Sequence, residues 1–469
     1  MLALPDGRTL RRRILILALP IIGENLLQTG FGFVDMAFVG HLGSLQLAGT
    51  GLANQVIFIL MAVLMSLNIG TTVLVSQELG AGSLRRAQGV VYQTMYLGLV
   101  LSVVTLLSGV FLSYRIFTLF PNSTGIVGYA GDYLLWILAP GVVLIFNYIL
   151  GASLRGAGDT RSPLISAIVT NLLNIVLDYL LIFGKFGFPQ WGVAGAAIAT
   201  TLSRAVGVSI LLFIIFRRRK GHFSLERHIP GINWETMKRI LRIGVPSSLE
   251  RLSFTVGGLF FAGIILSLGP QAFAAHRVAL TVESLSYNPG FGFAAAATTV
   301  VGFLVGKGEF PRARRAAFET WKMAALAMSV LGLVFFVGRT VIVRIFSTDP
   351  VVLALSSSAL FIIAFAQPLL ATVFAMEGAL RGGGNTTIPM LATAAGMWLI
   401  RIPLAFVFVT QLHWGIAGAW LAMTADIAFK AGVLAFMFVR RSTFKSHVLP
   451  DGSAVAVEGD QLATEVLSI

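Results

Sequence analysis

Asp178 stands in "TNLLNIVLDYLLIFG" (170–184), a stretch otherwise dominated by Leu, Ile, Val, Tyr and Phe. A carboxylate in the middle of a lipid-embedded helix costs about 2.5–3.5 kcal/mol on insertion scales, so something must offset it. Asn171, Asn174 and Asp178 are spaced i, i+3, i+7 and share one helix face. A second stripe is made by Glu24, Gln28, Phe31 and Asp35, at i, i+4, i+7, i+11. Neither stripe can face lipid; each must face a cavity or another helix. The two aspartates lie at similar depth on the extracellular side of the midplane, which predicts that they share one hydrated pocket. Two carboxylates in one low-dielectric pocket cannot both ionise cheaply. A proton neutralises such a pair, or a monovalent cation does so with amide and hydroxyl oxygens completing its shell. Either event changes the local charge by a unit, which is what a coupled carrier needs.

The elements that must hold these stripes follow from composition. Of 469 residues, 56% are hydrophobic and 12% charged, against about 25% charged in soluble domains; the mean hydropathy is +0.86. Apolar runs occur near 14–37, 47–72, 90–112, 130–152, 163–184, 193–216, 239–266, 272–300, 318–338, 355–379, 387–410 and 416–439. Each is long enough to cross a hydrocarbon core of about 30 Å as a helix. The chain therefore reads as an all-α polytopic membrane protein with twelve transmembrane helices. Its net charge of +14 is spread over alternate loops and not clustered on a soluble domain, so no nucleic-acid partner is expected. One side carries Arg8 to Arg13, Arg85 and Arg86, Arg155 and Arg161, Arg217 through Arg242, Lys307 to Arg315, Arg381 and Arg440 to Lys445. The positive-inside rule puts both termini in the cytoplasm, in a plasma (inner) membrane. The first segment has a basic front but no small-residue cleavage site, and reads as a helix, not a removable signal. There are no cysteines.

The chain repeats itself. Pro20 meets Pro246 and Glu24 meets Glu250 at an offset of 226; "GASLRGAGDTRSP" at 151 meets "EGALRGGGNTTIP" at 377 at the same offset. "WGVAGAAIA" at 191 meets "WGIAGAWLA" at 414, three residues closer. Six helices per half give parallel repeats, two bundles related by a pseudo-two-fold axis along the membrane normal, with the substrate path expected between them. The expected organisation is an amino-terminal bundle over 1–216 holding the cation site, a cytoplasmic linker over 217–242, a carboxy-terminal bundle over 243–445 and a disordered tail over 446–469. The repeat is also an internal control. The Glu and Arg pairs recur in both halves, which reads Glu24 and Glu250 as structural or gating, and Arg155 and Arg381 as helix-end groups. Asp35, by contrast, faces Phe261, and Asp178 faces Leu404.

Motif scans give no enzyme. "GFLVGKGE" (302–309) falls one residue short of a phosphate-binding loop and lacks its Ser or Thr. "GAGD" (156–159) mimics an intramembrane aspartyl protease, but lies in an Arg-flanked loop whose repeat copy has Asn385. The six histidines form no cluster.

The segments "LPIIGENLLQ", "VDMAFVGHLGSLQLAG", "LRGAGDTRSP", "NLLNIVLDYLLIFG" and "WGVAGAAIATTLSR" together resemble the multidrug and toxic compound extrusion (MATE) family over nearly the whole chain. That resemblance implies a twelve-helix secondary antiporter, a V-shaped pair of bundles, which expels cationic amphipathic drugs in exchange for protons or sodium ions. It implies a cation site at Asp35, Asn174 and Asp178 with Thr200 as a fourth member, a sodium ion at the first three being the metal alternative. It also implies cavity positions at Gln28, Phe31 and Asn147, joined here by Asn171 on its stripe, and a bend at Pro20. Leu370 replaces an acid found in the NorM-like branch, so the chain looks closer to the DinF-like branch, whose coupling site lies in the first half. Glu250 and Glu283 leave a second carboxylate site open in the other half. The expected partners are small organic cations and membrane lipid; the expected state is a monomer with no cofactor beyond the coupling ion. The main rival is a flippase for lipid-linked saccharides, which would line its cavity with several cations for a pyrophosphate; the candidates are Arg204, Arg401 and Lys430. A membrane-embedded enzyme or sensor is the rival of another class. With two acids and no nearby cation, proton coupling is favoured over sodium.

Overall fold

The computed structural model describes residues 7–119, 125–217, 223–226, 230–439 and 444. Within these the chain is helical throughout: α1 (Gly7–Gly40), α2 (Ser44–Gly80), α3 (Leu84–Leu112), the short α4 (Arg115–Thr118), α5 (Val127–Leu138), α6 (Gly141–Gly156), α7 (Arg161–Phe183), α8 (Gly192–Arg217), α9 (Trp234–Leu266), α10 (Pro270–Gly306), α11 (Phe310–Arg344), α12 (Pro350–Gly382), α13 (Thr387–Ala395), α14 (Ile402–Phe406) and α15 (Gly415–Val439). Eleven helical stretches are long and apolar enough to span a membrane, and the pair α5 and α6, bent by 52° at its break, makes the twelfth. The sequence suggests one helix over 130–152. Pro140 lacks the N–H that would continue the ladder, and the chain turns there. From Thr387 to Gln411 the backbone also departs from a regular α-helix. Gly396–Arg401 and Val407–Gln411 are π-helical, on either side of Pro403, whose ring displaces the hydrogen-bond register. The tail expected over 446–469 lies outside the described residues.

The described chain forms two compact units, one taking residues up to Ile22 and from Val245 onward, the other Gly23–Gly244. Both boundaries fall inside helices that run unbroken, two residues after Pro20 in α1 and one before Pro246's neighbour Val245 in α9. Each unit is thus completed by the opening turns of the other repeat's leading helix. Small residues allow this packing. In one unit a Cβ on Gly292 would meet Ala18 O at 3.0 Å; in the other a Cβ on Gly244 would meet Ser66 O at 2.1 Å. Ala18 and Gly244 are repeat equivalents, as are Ser66 and Gly292.

The cores are built alike. Thr72 Oγ1 donates to Ala152 O at 3.2 Å, and Thr298 Oγ1 donates to Gly378 O at 3.0 Å. Beside them Gly156 lies against Thr72 O and Gly382 against Thr298 O, where a Cβ would approach to 2.7 and 2.5 Å. The Arg-Gly loops that follow turn through Gly158 and Gly384, at φ of 82° and 78°, values that L side chains rarely adopt. Asp159 then accepts from Ser162 N at 3.0 Å and Asn385 from Ile388 N at 3.3 Å. The aspartate of "GAGD" thus serves the first turn of α7, a role its repeat copy fills without an acid.

The linker is held against the Gly23–Gly244 unit by side chains of α3. Gln88 donates to Ser224 O, Tyr92 to Glu226 O, Gln93 to Gly231 O and Tyr96 to Pro230 O, while Asn233 N donates back to Gln93 Oε1. Phe223 and Leu225 are buried beneath it.

Gly156→Val and Gly382→Val are each expected to destabilise the protein by about 1–3 kcal/mol through overpacking. Thermal unfolding of the detergent-purified variants checks this; an unchanged melting temperature at either position would refute the repeated close approach.

Candidate functional site: a polar cavity in the amino-terminal bundle

A cavity of about 290 Å³ lies wholly within the Gly23–Gly244 unit. One wall is α1, presenting Glu24, Gln28, Phe31 and Asp35; α6 adds Asn147, Tyr148 and Arg155, α7 adds Thr170, Asn171 and Asn174, and α8 adds Thr200, Ser203 and Arg204. Both stripes and the positions Asn147 and Thr200 therefore meet in one space. Asp178 sits behind the lining, 1% exposed, where its charge and that of Asp35 act on each other. The two carboxyl groups lie within hydrogen-bonding reach of each other, a bond that requires one of them to carry a proton. No other group supplies a hydrogen bond to Asp35 Oδ1 or to either oxygen of Asp178, and Asn174 Nδ2 is a buried donor without an acceptor. Such carboxylate oxygens are costly unless a proton or cation visits them.

Local packing explains why these groups converge. Helix α7 ends at Gly184, left-handed at φ 64°, and Trp191 N donates to Leu181 O at 2.9 Å. Gly195 then lets α8 rest on the α7 backbone, a Cβ there falling 2.5 Å from Leu181 O. That contact sets the height of Thr200 and Arg204 beside Asn174 and Asp178. Thr200 Oγ1 donates to Ala196 O at 2.9 Å, which leaves its oxygen free to accept.

Glu24 is not part of the orphaned pair. Arg155 Nη1 lies 3.3 Å from its carboxylate. The equivalent residues pair in the other unit, where Arg381 Nη2 reaches Glu250 at 2.7 Å and Glu377 at 3.2 Å. Arg155 and Arg381 are thus ion-pair partners as well as residues near helix ends. The positions equivalent to the aspartates are apolar: Phe261 is buried and packs edge-on against His276, and Leu404 packs against that unit's hydrophobic core.

Two neighbours, Tyr133 and Tyr148, escaped the sequence reading, and Arg204 was read as a lone cation away from the pair. Tyr133, on α5, feels the charges of Asp35, Asp178 and Arg204; Tyr148 lines the cavity; and Arg204 lies close enough to Asp35 to act on it. The pair therefore does have a nearby cation, contrary to the expectation from sequence. Arg204 follows Thr200 by one helical turn, a spacing that could have placed it. The other two cations weighed with it are committed elsewhere: Arg401 and Lys430 pair with the buried Asp426 at 2.6 and 3.1 Å. Pro20 and Glu250 belong to the other unit.

The family model MatE matches the chain twice, over residues 20–180 and 246–407, starting at the two prolines that define the repeat. The chain belongs to the MATE family. Its relatives include a "Probable multidrug resistance protein NorM" of Thermotoga maritima, 40% identical over 445 residues covering 94% of both chains. A protein of the same name from Xanthomonas campestris is 29% identical over 431 residues, 91% of this chain and 93% of that one. Among solved structures, "Crystal structure of MATE in the bent conformation" superposes with a TM-score of 0.85 at 24% identity, covering 93% of this chain and 97% of that one. The fold of this MATE protein is thus that of a multi-pass membrane transporter.

Breaking the repeated pairs should cost stability. Arg155→Gln is expected to lower it by about 2–4 kcal/mol, below the limit for full burial because the side chains keep 15% and 13% exposure. Arg381→Gln should cost more, since it strands two carboxylates. Melting temperatures in detergent, read beside dye affinity, test this; a large affinity change at unaltered stability would assign Arg155 to substrate contact instead.

Proposed function

We propose that this chain is a secondary antiporter of the inner membrane that exports cationic amphipathic drugs or toxins in exchange for protons, acting as a monomer with both termini cytoplasmic. The observation that carries the reading is the orphaned pair Asp35 and Asp178 in the amino-terminal cavity, in a chain whose other half has Phe261 and Leu404 at the equivalent places. Cation occupancy changes the charge of that cavity by one unit, and the conformation that releases drug is the one the occupied pair stabilises. Asn174 and Thr200 present amide and hydroxyl oxygens beside the carboxylates; Gln28, Phe31, Asn147 and Asn171 shape the wall. Pro20, Glu24 and Glu250 sit within a few residues of the points where α1 and α9 pass from one unit to the other, which suits hinge and gate roles. The relatives' name, multidrug resistance protein, supports the substrate class. The flippase reading is disfavoured because, of its three candidate cations, two are tied to Asp426.

Drug efflux from vesicles under an imposed proton gradient or an imposed sodium gradient tests the exchange. Asp35→Asn and Asp178→Asn should each abolish coupled efflux at wild-type expression, since the amide keeps the shape and loses the charge; full activity in either variant would sink the assignment.

The ion is decided by binding of a cationic dye across pH 6–9, on a scale of about a tenfold change per unit near the site's titration. Proton coupling predicts weaker binding as pH falls and no effect of sodium at fixed ionic strength. Displacement by sodium at constant pH, lost in Asn174→Ala, would show a sodium cage.

A further inference from the structure

Arg204 is the cavity cation for which the described residues supply no ion-pair partner. The charged and titratable groups around it are Glu24 and Asp35 on α1, Tyr133 on α5, Tyr148 and Arg155 on α6, and Asp178 on α7. Glu24 and Arg155 cancel each other in their ion pair. The phenol groups act as hydrogen-bonding groups and are not counted as charges. Two carboxylates and one guanidinium remain, so the cavity with both acids ionised carries a single negative charge. One proton brings it to neutrality, and so does one monocation.

We propose that Arg204 fixes the capacity of this cavity at one positive charge, making the site selective for singly charged substrates over doubly charged ones. The inference rests on Asp35 and Asp178 being the coupling pair. A monocation and a proton then compete for the same charge position, which makes their occupancy mutually exclusive and the exchange one for one. A dication leaves an unneutralised positive charge in a low-dielectric space beside a fixed guanidinium, where it is repelled. Without Arg204 the cavity would carry two negative charges. It would accept a dication, or a monocation together with a proton, and lose the strict competition that drives release. Arg204 touches neither carboxylate by a hydrogen bond; it acts through the field, as a charge-setting residue.

Ethidium and propidium share one phenanthridinium chromophore and carry one and two positive charges, so their affinity ratio reads charge selectivity with shape nearly constant. The full-length protein in detergent is titrated with each dye. Wild type is expected to favour ethidium. Arg204→Gln should shift the ratio toward propidium by about tenfold or more, the effect of one charge across a cavity of this size, and Arg204→Lys should restore it. An unchanged ratio in Arg204→Gln with intact ethidium binding would overturn the proposal, as would an Arg204→Lys that behaves like the glutamine variant. The unmodified protein supplies a check that needs no variant: in weak buffer between pH 6 and 9, ethidium binding should release no more than one proton per dye, and two would refute the count. A ratio shift without any proton release keeps the charge count and removes the proton assignment. Asp35→Asn separates the two readings, since dye binding insensitive to that change removes the coupling pair whatever Arg204 does.

Discussion

The cost of keeping an ionised carboxylate in a membrane governs this molecule. The chain answers it repeatedly in one way, by lending an acid a base from another helix or another turn. Glu24 has Arg155, Glu250 and Glu377 share Arg381, Glu78 takes Arg239 and Arg86, Glu319 takes Arg11 and Lys322, and Asp426 holds Arg401 and Lys430. Asp35 and Asp178 have no such pair among the described residues. Buried polar atoms without partners are few in folded proteins because each is expensive, and two such carboxyl groups, Asp35 on the cavity wall and Asp178 just behind it, mark a place where something external supplies the missing charge. Burial without a base does not by itself distinguish them, since Glu283 is also buried with no basic partner and accepts only from Tyr287 at 3.1 Å; what sets Asp35 and Asp178 apart is that two such carboxyl groups lie together.

Duplication sets the frame for that exception. The Glu–Arg pair, the Thr hydroxyl that bonds the neighbouring helix and the glycine packed against that Thr's carbonyl all recur at one offset of 226. These contacts recur inside each unit. The boundaries of the bundles are not those of the repeats. Residues up to Ile22 pack with the second half and residues up to Gly244 with the first, so each leading helix belongs to two bodies at once.

Much of this was legible in the residues. The two stripes, the repeat and the one-sided acids followed from helical spacing and from comparing the halves, and they named Asp35, Asn174 and Asp178 of the proposed cation site, while Thr200 came from the resemblance to the MATE family. The Glu–Arg pairs did not follow, although both partners repeat: the 131 residues between Glu24 and Arg155 give no periodic signal, and only tertiary packing brings them together. Arg204 was visible but read as a lone cation, because its relation to Asp35 depends on how closely Gly195 lets α8 approach α7. The clamp on the linker was more accessible, since Gln88, Tyr92 and Tyr96 stand at i, i+4, i+8 on α3 and form a polar stripe that needed a partner. The exchange of leading helices left no trace in composition, being decided by small residues such as Gly244 and Gly292 whose neighbours lie far away in sequence.

The central claim is that Asp35 and Asp178 form the exchangeable cation site. The most direct test is chemical labelling with dicyclohexylcarbodiimide, an apolar reagent that modifies protonated carboxyl groups in membranes, followed by mass spectrometry of the modified peptides. The account predicts an adduct on Asp35 or Asp178, suppressed when a cationic dye is bound, with Glu24 and Glu250 shielded by their arginines. Labelling that spares both aspartates, or that persists unchanged with the dye in place, would contradict it.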